Sequence, residues 1–248
     1  MNNTYKSEFQ VETSMLDSYS MSIVSFLGAM QDAMTNHMKE LGVDGVTVKA
    51  KYNALWVAAK AKIKFYRRPL WLEKVSLETW VLKPPLCKCE RFFRFKSGEE
   101  LIAEASNEMC VLNYDTRRIK KVSTVNYPEN KIEWRTETLC DYPYSNISED
   151  FSEEEYVYEK KVMQSDIDFS RHTNNISYVR IVTDTLPVQY FRDHEADFFE
   201  IHYISESKEG EKLKIYKREK TCGYEFAVKG EDGRTVVKAA FTVKTDIK

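Results

Sequence analysis

The pattern of apolar and polar positions divides the chain into two stretches with the same order of elements. The first stretch opens with the alternating segment YKSEFQVETS, which predicts a strand. A helix is predicted next, because apolar residues recur at intervals of three and four and Gly42 ends the pattern. These residues are Ile23, Val24, Leu27, Met30, Met34, Met38 and Leu41. Four strand-like runs follow, over residues 55–66, 74–82, 90–96 and 101–113.

The second stretch repeats this order. A strand-like run over residues 156–163 precedes a helical pattern over 176–191. Four further strand-like runs cover residues 198–205, 212–218, 224–229 and 235–244. Short segments also match between the stretches, namely SMLD with SDID, WLEKVSLE with EGEKLKIY, and FRFKSGEELI with FAVKGEDGRTVV. Three matches in the same order predict a duplicated α+β unit.

A segment of different composition separates the two copies. Residues 123–155 contain Pro128, Pro143, several asparagines and the acidic run SEDFSEEE, which is typical of a connector. We therefore predict an N-terminal domain over residues 1–125, a connector over 126–154 and a C-terminal domain over 155–248. A loop insertion inside one large domain is the alternative that this composition leaves open.

Composition and charge exclude several classes of function. The formal net charge of −2 argues against general nucleic-acid binding, which favours a basic excess. The sequence contains no GxGxxG or GxxxxGK[ST] motif, so it lacks the usual phosphate cradles. No apolar run is long enough for a membrane span or a signal peptide. The five cysteines contain no CxxC pair and are expected to be reduced thiols, which predicts a cytoplasmic protein.

The segment SDIDFSRHTNNISYV, residues 165–179, concentrates polar side chains just before the second helix. Thr173 or Asn174 is suited to cap that helix, whose N-terminus would stabilise negative charge on a carbonyl oxygen. Asp168 and His172 lie four residues apart beside it. The carboxylate could activate water or attack directly, and the imidazole could donate a hydrogen bond or relay a proton. These parts suit hydrolysis, although a polar turn of purely structural role remains the alternative.

Other motifs do not fit this segment. A calcium-binding loop would need glycine and a carboxylate where the chain has Arg171 and Ser177. A DxD phosphatase would be expected in an α/β chain, and no GxSxG elbow signals a serine nucleophile.

The same segment resembles the active-site segment of the acyl–acyl carrier protein (acyl-ACP) thioesterases, in which SDxDxNxHxNNxxY is usual. Three other stretches also resemble that family: MQDAMTNHMKELGV, LWVAAKAKIKFYRRPLWLEKVSLETW and NYDTRRIKKV. The resemblance implies an α+β fold of two tandem hotdog domains, each a long helix wrapped by an antiparallel β-sheet. It also implies hydrolysis of the thioester of fatty acyl-ACP, which releases free fatty acid and terminates fatty acid synthesis, without a metal or cofactor.

Carried over position by position, the resemblance implies catalytic roles for Asp168, His172 and Glu206. Ser170 and Asn174 are further candidates. Ser170 is a departure, because the family has asparagine there. Serine can hold a water molecule by hydrogen bonding, but it is shorter than asparagine and lacks an amide donor.

Alignment of the two copies predicts one catalytic site for each chain, in the second repeat. The positions that align with Asp168, His172 and Glu206 hold Asp17, Met21 and Arg68. Methionine cannot transfer a proton, so Asp17 has no partner for acid–base chemistry. Capping of the first helix is the role predicted for Asp17.

The predicted partner is an acyl carrier protein carrying a fatty acyl chain. Lys60, Lys62 and Lys64 share one strand face and, with the run RRIKK at 117–121, are predicted to contact an acidic carrier. The methionines of the first helix are predicted to line an acyl-chain pocket in the N-terminal domain, although ordinary core packing also explains them. Homodimer formation is left open.

Two other functions remain open. One is a hotdog hydratase or dehydratase acting on acyl thioesters, although the hydratase pattern DxNxxH separates Asp and His by five residues and this chain separates them by four. The other is a non-catalytic module that binds acyl thioesters, which would not need Asp168 or Glu206.

Overall fold

The structure is a computed structural model that describes residues 3–128, 132–140 and 142–245. Its helices are α1 (Ile23–Glu40), α2 (Gly45–Tyr52), α3 (Asn175–Thr183) and α4 (Val188–Asp193). The strands of the first half are β1 (Thr4–Gln10), β2 (Ala54–Phe65), β3 (Lys74–Val81), β4 (Lys88–Ser97), β5 (Glu100–Asn113) and β6 (Ile119–Lys120). Those of the second half are β7 (Tyr156–Lys161), β8 (Ala196–Tyr203), β9 (Lys212–Lys220), β10 (Gly223–Gly230) and β11 (Thr235–Val243).

In the described ranges, one antiparallel sheet of 11 strands joins the two halves. The first half runs β1-β3-β4-β5-β2, and the second half runs β8-β11-β10-β9-β7, which is the same order reversed. The halves meet where β2 pairs with β8, and Ala61 lies opposite Ile201 in that pairing. Because each of these ten strands has a counterpart in the other half, and only the short β6 beside β5 has none among the described residues, this topology confirms the predicted duplicated α+β unit.

Helix α1 lies against the inner face of the sheet, as its apolar periodicity predicts. Ser22 caps it by accepting a hydrogen bond from the N–H of Ser25 at 3.1 Å, and Gly42 leaves it with φ +70°. The Phe26 ring packs edge-on against Phe65 and Phe95, with ring centroids 5.1 and 5.0 Å away. These contacts belong to an apolar core that continues into the second half and includes residues of α3.

The single helix predicted over 176–191 is wrong, because the chain forms α3 and α4 instead. Pro187 separates the two helices and stands at the N-cap of α4. Proline has no N–H to donate, and its ring excludes the helical conformation from the preceding residue. Helix α2 was not predicted, because Val48 is its only buried residue and its apolar periodicity is therefore weak.

The segment between the halves covers the outer face of the sheet. The Trp80 indole N–H donates to the carbonyl of Glu137 at 2.9 Å, and the N–H of Ser145 donates to Glu200 at 2.8 Å. These bonds fix the segment across strands of both halves. Within the described residues, no helix is long and apolar enough to cross a membrane.

This covering segment contradicts the predicted lysine docking face. Lys62 is only 5% exposed, and its ammonium lies 4.7 and 4.6 Å from the ring centroids of Tyr142 and Tyr144. Lys64 is used in an ion pair with Asp197 at 2.5 Å. The alternation of the lysines correctly placed them on one face, but that face is covered by the chain itself.

Candidate active site

The loop between β7 and α3 is held in shape by Asp166, which is buried. Its Oδ2 accepts a hydrogen bond from the N–H of Met163 at 2.9 Å and lies 3.1 Å from the Lys160 ammonium. Its carbonyl accepts from the N–H of Asn174 at 2.8 Å. Asp166 therefore anchors both ends of the loop and has a structural role.

Asp168 and Ser170 form a tight turn within this loop. The N–H and the hydroxyl of Ser170 both donate to Asp168 Oδ1, at 2.8 and 2.5 Å. Arg171 then adopts a left-handed conformation with φ +66°, and the N–H of Asp168 donates to the carbonyl of His172 at 3.0 Å. The turn brings the His172 ring back toward the Asp168 carboxylate.

His172 connects the turn to a second carboxylate. Its Nδ1 lies 3.5 Å from Ser170 Oγ, and its Nε2 lies 3.4 Å from Glu206 Oε2. The contacts therefore run from Asp168 through Ser170 and His172 to Glu206. A base oriented by neighbouring groups in this way is the arrangement that acid–base catalysis requires.

Glu206 is held in place by Ser207, the buried residue that follows it. Ser207 Oγ lies 2.7 Å from both Thr173 Oγ1 and the Tyr178 hydroxyl, and its N–H donates to that hydroxyl at 3.0 Å. The N–H of Thr173 donates to the carbonyl of Ser207 at 3.0 Å. These bonds tie the segment after β8 to the start of α3, so Glu206 and His172 are positioned together.

Asn174 is the cap of α3, which confirms one of the two residues predicted for that role. Its side-chain oxygen accepts a hydrogen bond from the N–H of Ile176 at 2.9 Å. The structure therefore uses the Asn174 carbonyl oxygen to begin the helix that carries Tyr178.

Arg117 is a further candidate site residue, although its sequence position predicted a docking face. It lies in the turn between β5 and β6 with φ +57°. Its Nη2 forms an ion pair with Glu206 and lies 3.4 Å from His172 Nε2. The stretch NYDTRRIKKV pointed to this turn, but its charge alone did not distinguish a docking residue from a site residue. The first half of the chain thus contributes to the site of the second half.

The aligned residues of the first repeat also meet, but they form an ion pair. Arg68 Nη1 lies 2.6 Å from each oxygen of Asp17 and donates to the Met21 carbonyl at 3.4 Å. Burial raises the pKa of Asp17 above its ordinary value, although Arg68 acts in the opposite direction. The predicted capping role of Asp17 is wrong, because Ser22 caps α1.

An open groove of about 610 Å³ lies beside the loop that holds Asp168. Phe169, between Asp168 and Ser170, is 68% exposed and forms part of its wall. The remaining lining residues come from α2 and the end of β5: Val46, Lys49, Ala50, Asn53, Tyr114 and Asp115. The Lys49 ammonium lies 4.0 Å from the Tyr114 ring centroid and lowers the pKa of Tyr114. The groove therefore combines an apolar wall with a positive charge.

Several characterised proteins are similar to this chain. Oleoyl-acyl carrier protein thioesterase 1 of Arabidopsis thaliana is 25% identical over 222 residues, which cover 83% of this chain and 61% of that protein. Dodecanoyl-acyl-carrier-protein hydrolase of Umbellularia californica is 23% identical over 210 residues, which cover 75% of this chain and 52% of that protein. The chain spans about half to three fifths of the length of these curated relatives.

Solved structures show the same fold over almost the whole chain. An acyl-ACP thioesterase from Bacteroides thetaiotaomicron superposes with a TM-score of 0.86 at 21% identity and covers 98% of both chains. The 12:0-ACP thioesterase from Umbellularia californica has a TM-score of 0.85 at 20% identity and covers 97% of both chains.

Both halves also match family models. Residues 2–126 match the acyl-ACP thioesterase N-terminal domain, and residues 149–244 match the acyl-ACP thioesterase C-terminal domain. The chain belongs to the acyl-ACP thioesterase family, and its fold is the double hotdog that the sequence motifs implied.

Proposed function

We propose that this protein hydrolyses the thioester bond of fatty acyl-ACP, which releases free fatty acid and terminates fatty acid synthesis. One observation carries the proposal: Asp168, Ser170, His172 and Glu206 form a continuous line of contacts at the start of α3. Two carboxylates linked through an imidazole supply a base, an acid and an orienting group for acyl transfer to water. The family to which the chain belongs supports the choice of substrate.

In the proposed reaction, Glu206 accepts a proton from a water molecule, whose oxygen attacks the thioester carbonyl carbon. Glu206 is the carboxylate assigned to this step because its side chain is 37% exposed and reaches solvent. His172 and Arg117 stabilise the negative charge that develops on the carbonyl oxygen. The carbon–sulfur bond then breaks, and the thiolate of the carrier leaves and takes up the proton.

Asp168 is assigned a positioning role through Ser170. Both donors of Ser170 engage the same oxygen, Asp168 Oδ1, and this restricts the rotation of the carboxylate. The Ser170 hydroxyl in turn lies within reach of His172 Nδ1. A carboxylate engaged in this way holds the imidazole in place rather than attacking the carbonyl carbon.

We further propose that the carrier docks beside the groove at the catalytic loop. Lys49 lines this groove, and Arg118, Lys121 and Arg171 are exposed side chains on the turns that hold Arg117 and Asp168. Their positive charges suit an acidic carrier and would act mainly on the rate of encounter. This surface replaces the covered lysine face as the proposed docking site.

We also propose that the chain divides into an N-terminal domain (1–125), a connector (126–154) and a catalytic C-terminal domain (155–248). A cytoplasmic location is supported by five free cysteines, which suit a reducing compartment. Homodimer formation stays a prediction.

The test is to measure thiol release from a panel of acyl-ACP and acyl-coenzyme A thioesters. We expect hydrolysis of acyl-ACP, and a loss of about 10² to 10⁴-fold in kcat for Asp168→Asn, His172→Ala and Glu206→Gln. Glu209→Gln is the matched control, because Glu209 is an exposed acid three residues after Glu206. Hydration of enoyl thioesters without thiol release would favour the hydratase alternative, and binding without turnover would favour the non-catalytic module.

A further inference from the structure

A group of polar side chains lies inside the first repeat, where α1 packs against the sheet. Arg91 is 1% exposed, and its Nη1 lies 2.9 Å from His37 Nδ1 and 3.2 Å from Thr79 Oγ1. Asn107 stands opposite Arg91 in the pairing of β4 with β5. The buried Tyr127 is near as well, because its hydroxyl interacts with the Arg91 guanidinium; burial raises the pKa of Tyr127, and this interaction opposes the rise. We call Arg91, His37, Asn107 and Tyr127 the polar cluster.

Some nitrogen and oxygen atoms of the polar cluster form no hydrogen bond of good geometry. Six buried side-chain nitrogen or oxygen atoms lack a hydrogen-bond partner of good geometry in the described part of the chain, and Arg91 Nε and Asn107 Oδ1 are two of them. The Tyr127 hydroxyl interacts with the Arg91 guanidinium and is not one of these two. Within the same residues, no ion pair joins Arg91 to a carboxylate. Buried donors and acceptors without partners are costly, so their concentration at one point indicates a group that is absent from the protein itself.

Two other buried charged side chains in this protein have their polar atoms paired. Glu200 is fully buried and accepts hydrogen bonds from the N–H and hydroxyl of Ser145, while its Oε1 lies 2.6 Å from His202 Nε2. Lys62 is enclosed by two aromatic rings and a carbonyl oxygen. The polar cluster is therefore not the general way in which this chain buries charge.

The polar cluster lies along the strand that leads to the candidate site. Tyr127 packs in an apolar cluster with Met38, Leu41 and Val111, and Val111 lies on β5 between Asn107 and the turn that carries Arg117. Strand β5 rises about 20 Å from Asn107 to Asn113, at about 3.4 Å a residue, a length that a long fatty acyl chain spans. The flexible side chains of the methionines beside the cluster can move to admit a chain.

We propose that the polar cluster is the distal subsite of the acyl pocket and that it takes a hydroxyl carried near the far end of a fatty acyl chain. This inference rests on the proposed function. A hydroxyl accepts from Arg91 Nε and donates to Asn107 Oδ1, so it satisfies both kinds of unpartnered atom. A ketone can only accept, and a carboxylate would meet the Asn107 oxygen unfavourably. Of a hydroxyl, a ketone and a carboxylate, only the hydroxyl matches both unpartnered atoms.

Calorimetric titration of the full chain tests the subsite without requiring turnover. The ligands are saturated fatty acids of several lengths, the same acids hydroxylated at the terminal carbon, and dicarboxylic acids of equal length. At the best length, we expect the hydroxylated acid to bind at least about tenfold more tightly than the plain acid. We expect Arg91→Met and Asn107→Leu to remove that preference. Equal affinity for plain and hydroxylated acids at every length, or preference for the dicarboxylic acid, would overturn the assignment.

A control variant separates a binding role from a packing role. Phe92 is equally buried but lies on the opposite face of β4, against Trp80, so Phe92→Leu perturbs the core without touching the cluster. It should keep the hydroxyl preference, whereas Arg91→Met and Asn107→Leu should both lose it. Loss of the preference in both variants would assign the cluster to packing.

Thiol release from the matching thioesters distinguishes this inference from the proposed function. If plain and hydroxylated acyl-ACP are hydrolysed with equal kcat/KM by the wild type, the subsite is refuted and the hydrolase stands. If no thioester is hydrolysed, the proposed function fails, and the titration still decides whether the cluster binds a hydroxyl.

Discussion

Replacement of Ser170 by alanine tests whether its hydroxyl positions the site or attacks the substrate. The change removes the 2.5 Å hydrogen bond to Asp168 and the 3.5 Å contact with His172, but it keeps the 2.8 Å bond from the backbone N–H. A hydrogen bond to a charged group contributes about 1.5–3 kcal/mol. Because Ser170 is partly exposed, we expect about 1.5–2 kcal/mol, which corresponds to a loss of about 10- to 30-fold in kcat.

The assay is thiol release at saturating acyl-ACP, with Ser170→Ala, Ser170→Asn and Asp168→Asn measured side by side. The kcat of Ser170→Asn should remain close to that of the wild type, because the asparagine amide can also donate to the Asp168 carboxylate. The kcat of Asp168→Asn should fall further, since this change removes the negative charge that Ser170 contacts. All three should keep the wild-type melting temperature within a few degrees, because Ser170 and Asp168 are not core residues.

Two results would refute a positioning role for Ser170. A loss in Ser170→Ala as large as that in Asp168→Asn, with acyl-enzyme detectable by mass spectrometry in the wild type, would make the hydroxyl the nucleophile. An unchanged kcat in Ser170→Ala would instead mean that the link from Asp168 to His172 has no part in catalysis.

Three more changes probe the ion pairs around the two repeats. Asp17→Asn should cost about 2 kcal/mol in urea unfolding, because Arg68 loses its buried partner, and should leave kcat within about twofold; a collapse in kcat would place chemistry in the first repeat. Burial favours a raised pKa for Glu73, but hydrogen bonds from Arg67 and other donors hold it at about 2. The stability lost in Glu73→Gln should therefore be largest above pH 4.5 and shrink as the pH falls toward 2; a difference independent of pH in urea unfolding would contradict this. Arg117→Met should lower kcat about tenfold with little change in melting temperature, and an unchanged kcat would exclude it from the site.

Most strands could be predicted because each one alternates or carries a continuous apolar run, and these patterns are local. The runs predicted over 55–66 and 101–113 differ from β2 and β5 by one residue at their ends. Helix α2 could not be found in this way, since an element with one buried residue has almost no periodicity to detect. Pro187 is visible in the sequence and marks a break between two helices. A single helix was predicted because the apolar periodicity continues on both sides of Pro187.

The site was only partly predictable, because its residues are joined by tertiary contacts. Asp168 and His172 lie in one loop and were evident from their spacing, whereas Glu206 came only from the family resemblance. Arg117 reaches them from the other repeat, and no local pattern marks such a contact. The lysine face was predicted wrongly for the same reason: alternation places Lys62 on a face but says nothing about the segment that covers it.

The two repeats carry different contacts at aligned positions, which supports the prediction of one site for each chain. Asp17 and Asp168 occupy equivalent places, but the first faces Arg68 and the second faces a line of contacts that ends at Glu206. The largely buried Arg68 pairs with the Asp17 carboxylate, and this ion pair ties the loop before α1 to the segment after β2. Its half of the chain nevertheless supplies Arg117 to the other site and the strand β2 that pairs with β8. The candidate site therefore draws on both halves, which is why we expect Arg117→Met to lower kcat although Arg117 belongs to the first repeat.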